Sequence, residues 1–150
     1  MNEFLINRYL EPLLDKAAAH VLQDWYIMEE RLDEAPEKIW LAMERMTSLR
    51  GFNSATPVQG GGNKREEMLV QSIDSKMLAE KGAEDARAYF ACVMPAWNSL
   101  TPDEQYVLRE RFIEGGNGLQ RIMHRKNVEK TAAYNMCNSA LKKFRRKIFW

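Results

Sequence analysis

The chain has 150 residues, 45% hydrophobic and 29% charged, with 22 Lys+Arg against 21 Asp+Glu. That length holds one domain or two very small ones and excludes a large enzyme built on a wide sheet. The apolar content excludes a wholly disordered chain, and charges interrupt every apolar run short of the ~18–20 residues a membrane span needs.

The near-neutral total conceals a polarity. Residues 1–100 carry 11 basic and 16 acidic side chains, and residues 101–150 carry 11 and 5. A basic C-terminal third suits an anionic partner, or the acidic part of the same chain. Met1-Asn2-Glu3-Phe4 has neither the basic nor the apolar region of a signal peptide, so a cytoplasmic chain with no membrane partner is expected. Cys92 and Cys137 lie far apart, form no CxxC or metal pattern, and are expected to be reduced core thiols.

Strand signals are weak and helical spacing recurs, which predicts an all-α fold. Leu10, Leu14, Ala17, Ala18, Val21, Leu22, Trp25, Met28 and Leu32 follow one helical stripe. Pro12 suits the start of its main helix, with Phe4 to Tyr9 as a separate turn or short helix. Asp33 to Pro36 predicts a break, with a new helix opening at Pro36 and carrying Ile39, Met43 and Met46 inward. Residues 50–63 form the clearest loop. The run Gly60-Gly61-Gly62 lacks the Lys-Ser/Thr pair and the preceding strand of a phosphate loop, so it is expected to be a connector. Asn63 to Glu66 reads as a helix cap. The helix behind it is expected to bury Val70, Ile73 and Met77, then Ala86, Phe90, Val93 and Trp97, with a kink or break near Lys81-Gly82. The segments on either side of the loop are expected to pack antiparallel. Two domains are predicted: residues 1–98, helical, with a glycine-rich connector at 51–63, and residues 99–150.

Thr101-Pro102-Asp103-Glu104 is a complete helix start. Thr101 can cap, Pro102 suits the first helical position, and Glu104 can return to the cap N–H. Val107, Leu108 and Phe112 supply the buried side, and Gly115 to Gly118 ends the helix. A short helix is predicted over Leu119 to Lys126, then a turn at Asn127, which tolerates a left-handed backbone. A final helix runs from about Glu129 to Phe149. Its inward stripe is Ala133, Met136, Cys137, Ala140, Leu141, Phe144 and Ile148. Lys130, Thr131, Tyr134, Asn135 and Asn138 lie on the outer side of its first half, and cations crowd its second half.

A short helix, a tight turn and a longer helix make a helix-turn-helix. Residues 100–112, Leu119-Gln-Arg-Ile-Met123 and Ala140-Leu-Lys-Lys-Phe-Arg-Arg146 resemble region 4 of sigma-70-type factors, with Ile122, Ala133, Ala140 and Leu141 at that family's buried positions. The chain departs from that pattern at Lys126, where an apolar residue is usual, and at Glu129, where a Ser or Thr usually caps. The layout from Met46 to Phe149 also resembles the ArpU/RinA-type phage regulators, which place a helical part and a glycine-rich connector ahead of a sigma-region-4-like end.

This resemblance implies a phage-type transcriptional regulator that binds double-stranded DNA in the major groove and activates late genes. Lys130, Thr131, Tyr134, Asn135 and Asn138 are the candidates for base contacts: Asn suits paired hydrogen bonds to adenine, and a Thr methyl can meet that of thymine. Arg121, Arg125, Lys126, Lys142, Lys143, Arg145 and Arg146 are the candidates for phosphates. The N-terminal helices would supply self-association or a surface for RNA polymerase. Two other readings stay open: a sigma-region-4-like module docking on RNA polymerase, and a packaging or replication accessory that binds DNA. His20 and His124 are isolated, the cluster Glu29, Glu30, Asp33, Glu34 and Glu37 reads as a solvated helix end, and no nucleophile–base pair can be composed. No catalytic residue, cofactor or metal is therefore expected.

Overall fold

A computed structural model of the chain describes residues 2–51 and 62–149. The described residues are all-α, with no strand among them and no helix long and apolar enough to cross a membrane. In chain order the helices are α1 (Glu3–Leu5), α2 (Glu11–Gln23), α3 (Trp25–Gly51), α4 (Gly62–Asn98), α5 (Pro102–Leu108), α6 (Gly118–Lys126) and α7 (Lys130–Phe149). Wide π-helical turns occupy Ile6–Leu10 and Arg109–Glu114.

Local chemistry explains most of these limits. Asn2 caps α1 by accepting from the Phe4 N–H at 3.1 Å. Pro12 lies in the first turn of α2, where its missing donor costs nothing, and the wide turn before it closes with the Glu11 N–H bonded to the Ile6 carbonyl. At α5 the reciprocal cap is complete. The Thr101 hydroxyl accepts from the Glu104 N–H at 3.2 Å, and the Glu104 carboxylate accepts from the Thr101 N–H at 3.1 Å. The last carbonyls of α4 are satisfied by side chains, with Gln105 Nε2 donating to Trp97 O at 2.9 Å and Ser99 Oγ to Ala96 O at 2.6 Å.

Four expectations are corrected. The chain does not break at Asp33–Pro36. It turns at Asp24, and α3 runs through Pro36. Pro36 is exposed, and the packed residues on both sides of it, Leu32, Ala35, Ile39 and Ala42, carry the helix across one lost backbone bond. No break occurs at Lys81-Gly82, since α4 is a single helix from 62 to 98. Asn63 is a helical residue of α4 and not its cap. Of the expected loop, positions 50, 51, 62 and 63 are helical, and the rest lies outside the described residues.

The chain divides into two units, Met1–Tyr26 with Tyr89–Trp150, and Ile27–Ala88. These limits differ from the expected 1–98 and 99–150 because α2 belongs with the C-terminal helices. Ala18 and Leu22 share one core with Val93, Trp97, Val107, Leu108, Leu119, Ile122, Cys137 and Phe144. Trp97 is the hub, 5.2 Å from Trp25 and 6.4 Å from Phe144 between ring centroids. Phe144 is fully buried, and truncating such a ring costs about 3–5 kcal/mol. Tyr89 donates to the Val21 carbonyl near the end of α2, and its hydroxyl pKa is raised by burial and by the nearby Asp24 carboxylate.

The Ile27–Ala88 unit is two antiparallel helices. Arg31 packs beside Gly82, while Arg45 lines the same hollow as Met68 and Gln71. The covered residues of α3 are 28, 32, 35, 39, 42, 46 and 49, and those of α4 include 69, 72, 76, 79, 83 and 86. Steps of four and three give a heptad seam. Its fully buried members are small: Ala35, Ala42, Ser72, Ala83 and Ala86. Val70 and Met77, expected inside, are 54% and 61% exposed, as is half of Met43. Ile73 and Phe90 are partly covered and Ala86, Val93 and Trp97 are buried as expected, so the period is out of register only at Val70 and Met77, where Ala and Ser carry weaker apolar signal than Val and Met.

Candidate functional site

The C-terminal helices of the first unit are set by backbone constraints. A Cβ on Gly118 would sit 1.8 Å from the Glu110 carbonyl oxygen, so the start of α6 lies against the wide turn before it and only glycine fits. Asn127 ends α6 in the left-handed conformation, φ 52° and ψ 52°, and the Val128 N–H bonds to the Met123 carbonyl at 3.1 Å. After three linking residues α7 begins. Ile122, Ala133, Cys137, Ala140 and Leu141 are buried between these helices and α5. Met123, Met136 and Ile148, expected fully inward, are partly covered.

All five proposed base-contact residues are exposed, but they do not share one direction. Around α7 the buried stripe leaves Thr131, Asn135, Asn138, Lys142 and Arg146 on the opposite side, at steps of four, three, four and four. Lys130 and Tyr134 lie on one flank. The Tyr134 ring is 36% exposed, with the Arg111 guanidinium 5.1 Å and the Lys130 ammonium 5.9 Å from its centroid. On the other flank, Asn135, Ser139 and Lys143 border a hollow with Asp103 and Glu104 at the start of α5.

The seven proposed phosphate contacts separate into three groups. Arg145 is corrected outright. It is 2% exposed, bonded from Nη1 to Asp15 Oδ1 at 3.0 Å and to the Glu11 carbonyl at 3.3 Å, and from Nη2 to Glu11 Oε1 at 3.3 Å. It serves the acidic part of its own chain, because burial of a guanidinium demands paired carboxylates. Arg121, Lys126 and Lys143 are engaged within the chain. Arg121 pairs with Glu110 at 2.5 Å and donates to Gly115 O at 2.9 Å. Lys126 pairs with Asp103 at 2.5 Å, and Lys143 with Glu104 at 3.0 Å. Arg125, Lys142 and Arg146 are exposed and, among the described residues, have no carboxylate partner. Arg125 rests 4.5 Å from the Tyr106 ring centroid, which steadies it without neutralising it.

These pairs shape the local field. Burial alone would raise the Glu104 carboxyl, yet hydrogen bonds from Lys143 and Thr101 and the Lys143 charge outweigh it, leaving the pKa below the ordinary value. Asp103 and Glu104 are therefore neutralised by Lys126 and Lys143 where they border α7. The outer stripe of α7 has hydrogen-bonding groups in its first half and cations in its second. Glu129 is exposed immediately ahead of α7.

Sequence reasoning missed Arg111, whose cation sits over Tyr134. It lies in the wide turn Arg109–Glu114, where side chains depart from the 3.6-residue register used to place it. Cys137 is buried and its thiol pKa is raised by that burial, whereas Cys92, expected in the core, is exposed. No family model, curated protein or solved structure matches the chain.

Proposed function

We propose that the chain is a sequence-specific regulator of transcription, of phage or prophage type, that binds double-stranded DNA and activates late genes. The observation that carries this reading is the outward row Thr131, Asn135, Asn138, Lys142 and Arg146 on a helix anchored along its opposite side. In the proposed mechanism α6, the turn at Asn127 and α7 act as a sigma-region-4-like helix-turn-helix. The first half of α7 enters the major groove, where Asn135 and Asn138 present paired donor and acceptor groups and Thr131 a methyl. Lys142 and Arg146, with Arg125 and Lys130, meet phosphates and set the register. Tyr134, held beneath Arg111, packs at the groove edge.

The test is fluorescence anisotropy with duplexes from upstream of the chain's own gene, against scrambled duplexes, at physiological salt. The expected result is a preference of at least about 10³-fold, the low end for specific readers. No preference, together with a stable complex with RNA polymerase, would move the function to protein docking.

A further inference from the structure

We propose that Arg111 is a further DNA-backbone contact: its guanidinium, laid on the Tyr134 ring beside Lys130, takes a phosphate of the strand running along that flank of α7. The inference rests on the DNA reading and extends its contacts beyond α6 and α7.

α5 and the wide turn Arg109–Glu114 cross α7. Asp103 and Glu104, at the start of α5, border the hollow with Asn135, Ser139 and Lys143 on one flank. Arg111 reaches the other flank, 5.1 Å from the Tyr134 centroid, and the Lys130 ammonium lies 5.9 Å from the same centroid. Burial raises the Cys137 thiol and the Arg111 charge works against that rise, which sets the guanidinium beside the turn of α7 from 134 to 137.

The neighbouring acids are engaged elsewhere. Glu110 is held by Arg121, and Glu114 accepts from the Tyr26 hydroxyl. Glu129, next to Lys130 in the chain, makes no ion pair among the described residues. Arg111 is partly covered, yet among the described residues its guanidinium makes no ion pair or hydrogen bond. Other covered cations of this chain have carboxylates: Arg145 has Glu11 and Asp15, and Lys126 has Asp103. A cation that rests only on a ring keeps its charge and its N–H donors for an anion from outside. The ring steadies the guanidinium plane, and that planar fork matches the two non-bridging oxygens of a phosphodiester.

A helix in a major groove about 12 Å wide has one backbone along each flank. On the hollow side, Asp103 and Glu104 already hold Lys126 and Lys143. On the Tyr134 side, Arg111 and Lys130 are unpaired among the described residues. The grip on the two strands is therefore unequal, and stronger on the strand beside Tyr134.

Anisotropy titrations of the full chain on a labelled duplex from upstream of its own gene test this, with single phosphates replaced in turn by uncharged methylphosphonate. A fifth phosphate contact takes the log–log salt slope to about −4.5, and Arg111→Gln should flatten it by about 0.9. Neutralising one phosphate on that strand should weaken wild type roughly tenfold and leave Arg111→Gln indifferent, a coupling that altered folding alone does not produce. Arg109→Gln, which removes a cation 5.6 Å from the Trp97 centroid, should match wild type in both measurements. Arg111→Lys carries the same scan if the neutral variant does not fold: it keeps the charge and loses the fork, so its response at that phosphate should shrink. An unchanged phosphate profile in the Arg111 variants, or an equal flattening in Arg109→Gln, would overturn the proposal and leave the DNA reading standing. A wild type with no preference for that duplex over a scrambled one would overturn both.

Discussion

The Arg145 guanidinium donates to Asp15 Oδ1 at 3.0 Å, joining α7 to α2 across 130 residues of chain. The Arg145 side chain is 3% exposed and its two carboxylate partners, Glu11 and Asp15, about 30%. Arg145→Met leaves carboxylates that can partly rehydrate, so the expected loss is about 1–3 kcal/mol, below that of a fully buried pair. Urea unfolding reads it as a lower midpoint. DNA affinity of the folded variant should be unchanged, and a weakened DNA affinity would restore Arg145 to the phosphate contacts.

Lys142 and Arg146 carry the opposite expectation. Both are exposed on the outer side of α7, so Lys142→Gln and Arg146→Gln should leave unfolding within about 0.5 kcal/mol of wild type. Each should flatten the slope of log affinity against log salt by about 0.9, from a starting value of about −4 for four phosphate contacts. Titrations between low and physiological salt measure this, and an unchanged slope for both variants removes them from the interface.

Asn135→Ala and Asn138→Ala should relax the choice of base at single positions of the operator. Each lost bidentate contact is worth about 1–3 kcal/mol of discrimination. Selection from randomised duplexes reads the change, and a uniform loss at all positions would assign these side chains to the backbone of the DNA.

Gly118→Ala should be among the most damaging small substitutions in the chain. The added methyl would meet the Glu110 carbonyl oxygen at 1.8 Å, backbone that cannot move without the Arg109–Glu114 turn. A loss of about 2–4 kcal/mol is expected, seen as a lower melting temperature. Gly116→Ala offers a comparison: there is open space around it, and only its φ of 60° opposes the change, for a loss of about 1–2 kcal/mol.

Acid should weaken the start of α5. The Glu104 carboxyl sits below its ordinary value of 4.5 in the folded chain, so folding favours its ionised form. That contribution is complete above about pH 5 and declines as the pH falls below 4.5 toward the folded value. Glu104→Gln should therefore be less stable than wild type at pH 7, with the gap narrowing as the pH is lowered to about 3. Urea midpoints across that range check the sign.

Legibility follows the range of the interaction. The cap at Thr101–Glu104, the first-turn place of Pro12, the left-handed Asn127 and the buried stripe of α7 were all readable, because each depends on groups within one or two turns of chain. The first half of α4 was legible only in part, since periodicity was weighed by hydrophobicity: Ser72, Ala79 and Ala83 are covered and Val70 and Met77 left outside, while Ile73 is partly covered and Ala86, Val93 and Trp97 are buried as expected. Arg145 was misassigned although it follows Leu141 by four residues, on the edge of the buried stripe. Position on a helix says that a cation is near the covered side, and says nothing of what covers it.

The amino-acid sequence by itself determined that this protein is helical, where most of its helices start and stop, and that the last of them has an apolar side and a hydrogen-bonding, basic side. Only the tertiary structure decided that α2 joins the C-terminal core, that Arg145 is spent on Glu11 and Asp15, and that the α3–α4 pair wears its large side chains outside. Helix caps and periods are settled by a residue's own neighbours along the chain, whereas burial and charge pairing depend on which distant segment arrives against them.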